Sequence, residues 1–216
     1  MARRPPRWYF SFRSPYSWLA YHDLLTHYPD VADGVEWLPF WEPEEAFAKE
    51  LAADGIALPY ATMSKAKHLY ILQDVRRLTA ERGLTMVWPI DREPRWEVAH
   101  LAYLVAQDAG RGREFVDAVY RARWEWGRNI SDPATMVEVG EELGLDPAPL
   151  AGAADDPEVR ARGLLALRAL DRDDVFGVPF FLQGHDKFWG VDRLPGFAAA
   201  HRKAAHRKAV EHRREG

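Results

Sequence analysis

The chain contains no cysteine. This excludes disulfide staples, thiolate metal sites and a protein-borne sulfur nucleophile, so the side chains alone cannot run disulfide exchange. Long apolar runs are also missing: no stretch approaches the ~20 residues needed to span a bilayer. The opening MARRPPRWYFSF has two prolines and no apolar core segment, so no signal peptide is expected and the cytoplasm is the default compartment. Cationic excess is absent as well. The net charge is −4, which gives no reason to expect nucleic-acid binding. Residues 201–216 are a local exception, with six Lys/Arg against two Glu, and read as a solvated helix end. No phosphate loop, dinucleotide glycine fingerprint, Ser-His-Asp set or internal repeat is found. His201, His206 and His212 lack metal-ligand spacing, so no metal is expected.

What is present is ordinary globular material, 216 residues with 47% hydrophobic and 29% charged side chains. The aromatic, alternating segment 8–12 reads as a buried strand. Ser14-Pro15 then opens a helix, with Ser at the cap and Pro at the first helical position; Tyr28-Pro29 ends it. Residues 35–40 read as a second strand, which makes the opening a β-α-β unit. The periodicity next becomes helical. Segments 64–82, 96–109, 112–126 and 132–143 each predict a helix, with glycine beyond each end, and Asp146-Pro147 opens a short fifth. Asp156-Pro157 starts a leucine-rich helix. Residues 178–182 and Phe188-Trp189, separated by a turn at 183–186, predict a hairpin, and a last helix follows Asp192. The economical reading is a mixed α/β domain formed by residues 1–59 and 156–216, interrupted by an all-helical insertion at 60–155.

Four constellations could carry chemistry. Ser14-Pro15-Tyr16-Ser17 stands directly after the first strand, where free backbone N–H groups and the helix dipole favour an anion. Ser14 could equally be a cap alone, since Asp132, Asp146 and Asp156 use the same device before proline. Gly177-Val178-Pro179 starts a strand; proline there lacks a donor, and an exposed edge could pair with an extended peptide. Asp192, in Gly190-Val191-Asp192-Arg193, could cap the last helix or hold an ammonium group. Lys67, Tyr70, Asp74 and Arg77 share one helix face, either as a solvated stripe or as part of a site. Among many aromatic residues, Trp96 and the Trp124-Glu125-Trp126 pair are flanked by charge and are candidates for lining a cleft.

Together these motifs resemble the DsbA-like proteins, and within them the branch of 2-hydroxychromene-2-carboxylate isomerases and kappa-class glutathione transferases. The resemblance rests on the strand followed by Ser14-Pro15-Tyr16-Ser17-Trp18, on Gly177-Val178-Pro179, and on Phe188-Trp189-Gly190-Val191-Asp192-Arg193. Lys67-x-x-Tyr70-x-x-x-Asp74 and Gly127-Arg128-Asn129-Ile130-Ser131-Asp132-Pro133 agree with that branch's helical insertion. The resemblance implies a thioredoxin-like fold with a helical insertion domain, and a homodimer. It implies that Ser14 stands where the attacking cysteine would be and bonds the sulfur of glutathione or an analogous thiol. It further implies a cis Val178–Pro179 bond whose backbone holds the thiol, Asp192 on its ammonium group, and Lys67 nearby.

The function implied is a thiol-dependent isomerase or transferase acting on a hydrophobic, aromatic small molecule. A second reading keeps the fold without the thiol: an isomerase or binding protein for an aromatic or polyketide-like metabolite, with Tyr16, Trp41 and Trp96 as pocket walls. It is favoured by Val191, which stands where the branch carries Ser, and by the acidic segment Glu42-Pro43-Glu44-Glu45. A third is a non-catalytic module that binds a peptide in the same groove.

Overall fold

The computed structural model describes residues 5–58 and 63–215, with side chains through residue 210 except 208. The aromatic opening forms β1 (Arg7–Phe10), as its pattern requires. It is followed by α1 (Pro15–His27), α2 (Pro29–Gly34) and β2 (Glu36–Pro39), which lies parallel to β1. Strand 1 ends at Phe10, earlier than the apolar pattern suggests, because the Phe12 N–H turns inward to His100 instead of joining the ladder. Pro29 does end α1, but it also serves as the first residue of α2, which the sequence reading passed over.

After α3 (Glu45–Ala53), also unanticipated, come α4 (Lys65–Glu81), α5 (Glu97–Asp108) and α6 (Gly112–Tyr120). The expected helix 112–126 loosens into a π-turn at Arg121–Glu125. Helices α7 (Pro133–Glu142), α8 (Pro147–Gly152) and α9 (Pro157–Arg172) each start from an aspartate whose carboxylate accepts a first-turn amide, as the Asp-Pro signals predict. Then β3 (Phe180–Gln183) and β4 (Asp186–Trp189) form the hairpin, and α10 (Leu194–Glu215) closes the chain. Between β4 and α10 lies a 3₁₀ turn, Val191–Arg193, whose preceding Gly190 has φ 104°. Asp192 sits inside this turn and Arg193, not Asp192, is the residue that precedes α10, which corrects its reading as the cap of that helix.

The sheet order is β2-β1-β3-β4, with β3 antiparallel to both β1 and β4. This β-α-β unit joined to a β-β-α unit is the arrangement the resemblance implies. Both faces of the central strands are packed. Trp8 meets Trp37 edge-on at 4.7 Å, and Phe181 stacks on Phe197 of α10 at 4.9 Å. Phe10, on the same face of β1 as Trp8, meets Tyr103 of α5 edge-on at 5.2 Å, while Tyr9 is buried on the opposite face. Helices α5 and α6 therefore share one continuous apolar core with the sheet. The expected boundary at 59/60 falls at residues outside the described set.

Candidate functional site

The turn from β1 into α1 spends its polar groups in a defined way. Ser11 N–H donates to Ser17 Oγ (3.3 Å), Phe12 N–H to His100 Nε2 (3.1 Å), Arg13 N–H to Ser11 Oγ (3.3 Å), and Ser14 N–H to Ser11 O (3.1 Å). Trp124 Nε1–H donates to Phe12 O (3.1 Å) and the Tyr120 hydroxyl to Ser11 O (3.3 Å). Ser14 is the cap of α1: its Oγ accepts the Ser17 N–H at 3.2 Å. The cap uses an oxygen lone pair and leaves the hydroxyl hydrogen available. Pro15 has no N–H, and the Tyr16 N–H has no partner among the described residues. The half-buried mouth of α1 thus offers two donors where the helix dipole favours negative charge.

The second wall is the turn before β3. The Val178–Pro179 bond is cis. Pairing of Tyr9 with Phe180 places these residues beside the end of β1. Pro179 O accepts the Gly190 N–H at 3.0 Å, whereas Val178 has neither its N–H nor its C=O engaged among the described residues. Val178 is half-buried and Pro179 buried, so the unpaired backbone edge lies beside the Ser14 turn.

The third component is α4. The Tyr16 hydroxyl donates to Asp74 Oδ2 at 2.8 Å, and Arg77 and Tyr70 both donate to Asp74 Oδ1 (2.9 and 3.4 Å). Burial, and then this bond to Asp74, push the Tyr16 phenol well above its ordinary range. The polar stripe is therefore tied to the first turn of α1. Lys67 is exposed on the first turn of α4, seven residues and about 10 Å along the helix from Asp74. Asp192 is exposed, lies 3.5 Å from Arg193, and borders a cleft of about 360 Å³ with Asp23, His27, Arg82 and Leu194. Ser14, Val178 and Pro179 do not line that cleft.

Two expected pocket walls are corrected. Trp41 is 1% exposed: its Nε1–H donates to Glu97 Oε1 at 3.1 Å and its ring stacks on His100 at 5.5 Å. Trp96 is 5% exposed, with the guanidinium groups of Arg13 and Arg123 at 5.5 and 5.0 Å from its ring. Charge beside a tryptophan in sequence marked cation–π packing, not a cleft. Trp124 is likewise buried, while Trp126 is exposed under Arg121. An exposed aromatic near the turn is Trp88, which sits edge-on at 5.9 Å to Trp124, the ring that bonds Phe12. The acidic segment is also neutralised: Glu44 accepts from Arg95 (3.1 Å) and Arg160 (2.6 Å), Arg13 pairs with Glu42, and buried Glu97 accepts the Glu44 N–H at 2.7 Å. Burial raises the Glu97 carboxyl.

His100 was missed by sequence reasoning. It is fully buried on α5, and burial lowers its pKa to about 3. A histidine inside the apolar run Val98-Ala99-His100-Leu101-Ala102 was the available signal. Among the described residues, no group of three or more His, Cys, Asp or Glu side chains could hold a metal ion, and no helix is long and apolar enough to cross a membrane.

A family model described as a DSBA-like thioredoxin domain matches residues 7–202. A 2-hydroxychromene-2-carboxylate isomerase of Sphingobium xenophagum is 27% identical over 187 residues, covering 86% of this chain and 92% of that protein. The enzyme of the same name from Pseudomonas sp. (strain C18) is 26% identical over 190 residues, covering 86% and 84%. Among solved structures, a 2-hydroxychromene-2-carboxylate isomerase superposes with TM-score 0.73 at 23% identity over 95% of this chain and 98% of that one. The cytosolic disulfide reductase DsbM of Pseudomonas aeruginosa, solved with GSH, superposes with TM-score 0.58 at 16% identity over 96% and 98%. Likeness at these identities establishes a shared fold, here the thioredoxin-like DsbA fold.

Proposed function

Given that the chain belongs to the DsbA-like thioredoxin-domain family, we propose that it is a thiol-dependent isomerase or transferase for a hydrophobic aromatic small molecule, with Ser14 as the group that polarises the thiol. The observation that carries this reading is the mouth of α1, where the Tyr16 N–H has no partner among the described residues and the Ser14 hydroxyl only accepts. With it goes the backbone of Val178, likewise without a partner among them, in the turn that leads into β3 next to the end of β1. These groups fit a cysteinyl peptide such as glutathione: an extended backbone for Val178 and a sulfur for Ser14. The isomerases among its relatives supply the reaction class.

When bound, the thiol supplies a sulfur that adds to an electrophilic carbon and is expelled again after bond rotation, with no net redox change. The chain's own residues supply the rest. A free thiol titrates near about 8.5, so an O–H donor and a helix N-terminus favour the reactive anion at neutral pH. Val178 orients the peptide backbone, and Lys67 and Asp192 are assigned to its carboxylate and ammonium ends. Tyr16, held by Asp74, stands in the first turn of α1. Without cysteine, the protein would not act as a disulfide oxidoreductase itself. The resemblance adds a homodimer; the composition adds the cytoplasm as the proposed compartment, and the helical periodicity adds 60–155 as the proposed insertion.

Ser14→Ala, assayed with 2-hydroxychromene-2-carboxylate and glutathione, should lose at least about tenfold in turnover, the worth of one hydrogen bond to a charged group. Equal turnover would remove Ser14 from the chemistry. The thiol-independent reading, a metabolite isomerase or carrier, draws support from the exposed Trp88 and from Ile90, which is 77% exposed on the same segment. Turnover without any added thiol would favour it.

A further inference from the structure

We propose that His100 is the positioning residue of the Ser14 turn, taking up the Phe12 N–H and the Ser11 hydroxyl so that Ser14 and Tyr16 keep the donors left for a ligand. The inference deepens the thiol reading and rests on it only in its last step.

The geometry selects one state of the imidazole. Nδ1 lies 2.7 Å from the Trp96 carbonyl oxygen, an acceptor, so Nδ1 carries the proton. Nε2 faces the Phe12 N–H at 3.1 Å and Ser11 Oγ at 3.3 Å, so Nε2 must be bare and accept from both. The other tautomer, or the imidazolium, would set an N–H against the Phe12 N–H. The ring is clamped between Trp41 at 5.5 Å and Phe12 at 5.0 Å, which leaves it no route to water. Ser11, having donated to Nε2, accepts the Arg13 N–H with the same oxygen, and its carbonyl accepts the Ser14 N–H. One neutral acceptor therefore sets two successive amides, that of residue 12 directly and that of residue 13 through the Ser11 hydroxyl, and so holds the backbone that leads into Ser14. In a cysteine-free site the hydroxyl must be aimed by the backbone, since no thiolate of the protein's own draws the turn together.

The test is amide hydrogen exchange on the full chain as wild type, His100→Leu and His100→Gln. In His100→Leu, the amides of Phe12 and Arg13 should exchange at least about tenfold faster while β3 and α10 hold their rates. Glutamine can offer an amide oxygen close to the Nε2 position and should restore most of the protection. In the glutathione complex of the leucine variant, the thiol pKa should return toward its free value of about 8.5. Unchanged exchange at Phe12 and Arg13, or equal acceleration throughout β3 and α10, would overturn the proposal. If the variants do not fold, nitrogen NMR of the wild-type imidazole decides: a proton on Nδ1 supports the assignment and one on Nε2 overturns it. Local acceleration in a protein that binds no glutathione would uphold the positioning of the turn and remove the thiol reading.

Discussion

A neutral imidazole sealed in a core leaves a signature in the pH dependence of stability. Folded His100 refuses a proton until about pH 3 because burial penalises the cation, whereas the unfolded residue takes one near about pH 6.5. Above that value both states are neutral and nothing is lost. As the pH falls below it, the unfolded chain binds the extra proton and stability drops, by at most about 1.4 kcal/mol per pH unit. Denaturant melts at pH 7 and pH 5 should therefore show wild type losing more stability than His100→Gln. Parallel losses would mean that His100 titrates normally. The roles of Ser14 and His100 were unequally legible in the sequence. Ser-Pro after a strand announces a cap, which the structure shows, because a cap depends on neighbours in the chain. His100 acts on residues 88 and 89 positions away, and spacing alone could not pair them. Trp41 and Trp96 misled for the same reason, since a large side chain beside charge looks alike whether it lines a cleft or stacks against arginine.

At the scale of elements, α1 is held to α4 at two heights: Tyr16 on Asp74, and Arg82 in a bidentate pair with Asp23 at 2.7 Å on both arms. The first clasp adjoins the mouth of α1. A double-mutant cycle of Tyr16→Phe and Asp74→Asn should give a coupling of about 1 kcal/mol; additive losses would show that the bond contributes nothing. The turn into α10 has a stricter requirement. Gly190 has φ 104°, and a Cβ there would stand 2.7 Å from Asp192 Oδ1. Gly190→Ala should cost about 1–3 kcal/mol in thermal or chemical melts and displace Asp192; a silent substitution would show a turn more plastic than described. Most elements were legible because their caps are local: Ser64, Asp132, Asp146 and Asp156 each announce a helix. Helices α2 and α3 were not, one hidden behind a proline read only as a stop, the other lacking a side-chain cap bond.

For the whole molecule, the β-α-β and β-β-α halves could be recognised from motifs at the two ends of the chain. Their union with the helices between them could not, because it is made by side chains far apart in sequence. Tyr103 of α5 donates to the Trp37 carbonyl of β2 at 2.9 Å, and Trp124 reaches Phe12. This shared core predicts one cooperative thermal transition, coincident in near- and far-ultraviolet circular dichroism. Two separate transitions would mean that 60–155 folds as an independent domain. The same packing holds the turn proposed as the site, since Trp124 and His100 bond its backbone from the helices. The most direct test of that account is calorimetric titration of glutathione into wild type and Ser14→Ala. Saturable binding that weakens about tenfold in the variant is the expected result. Equal affinity in both proteins, or no binding to wild type, would contradict it.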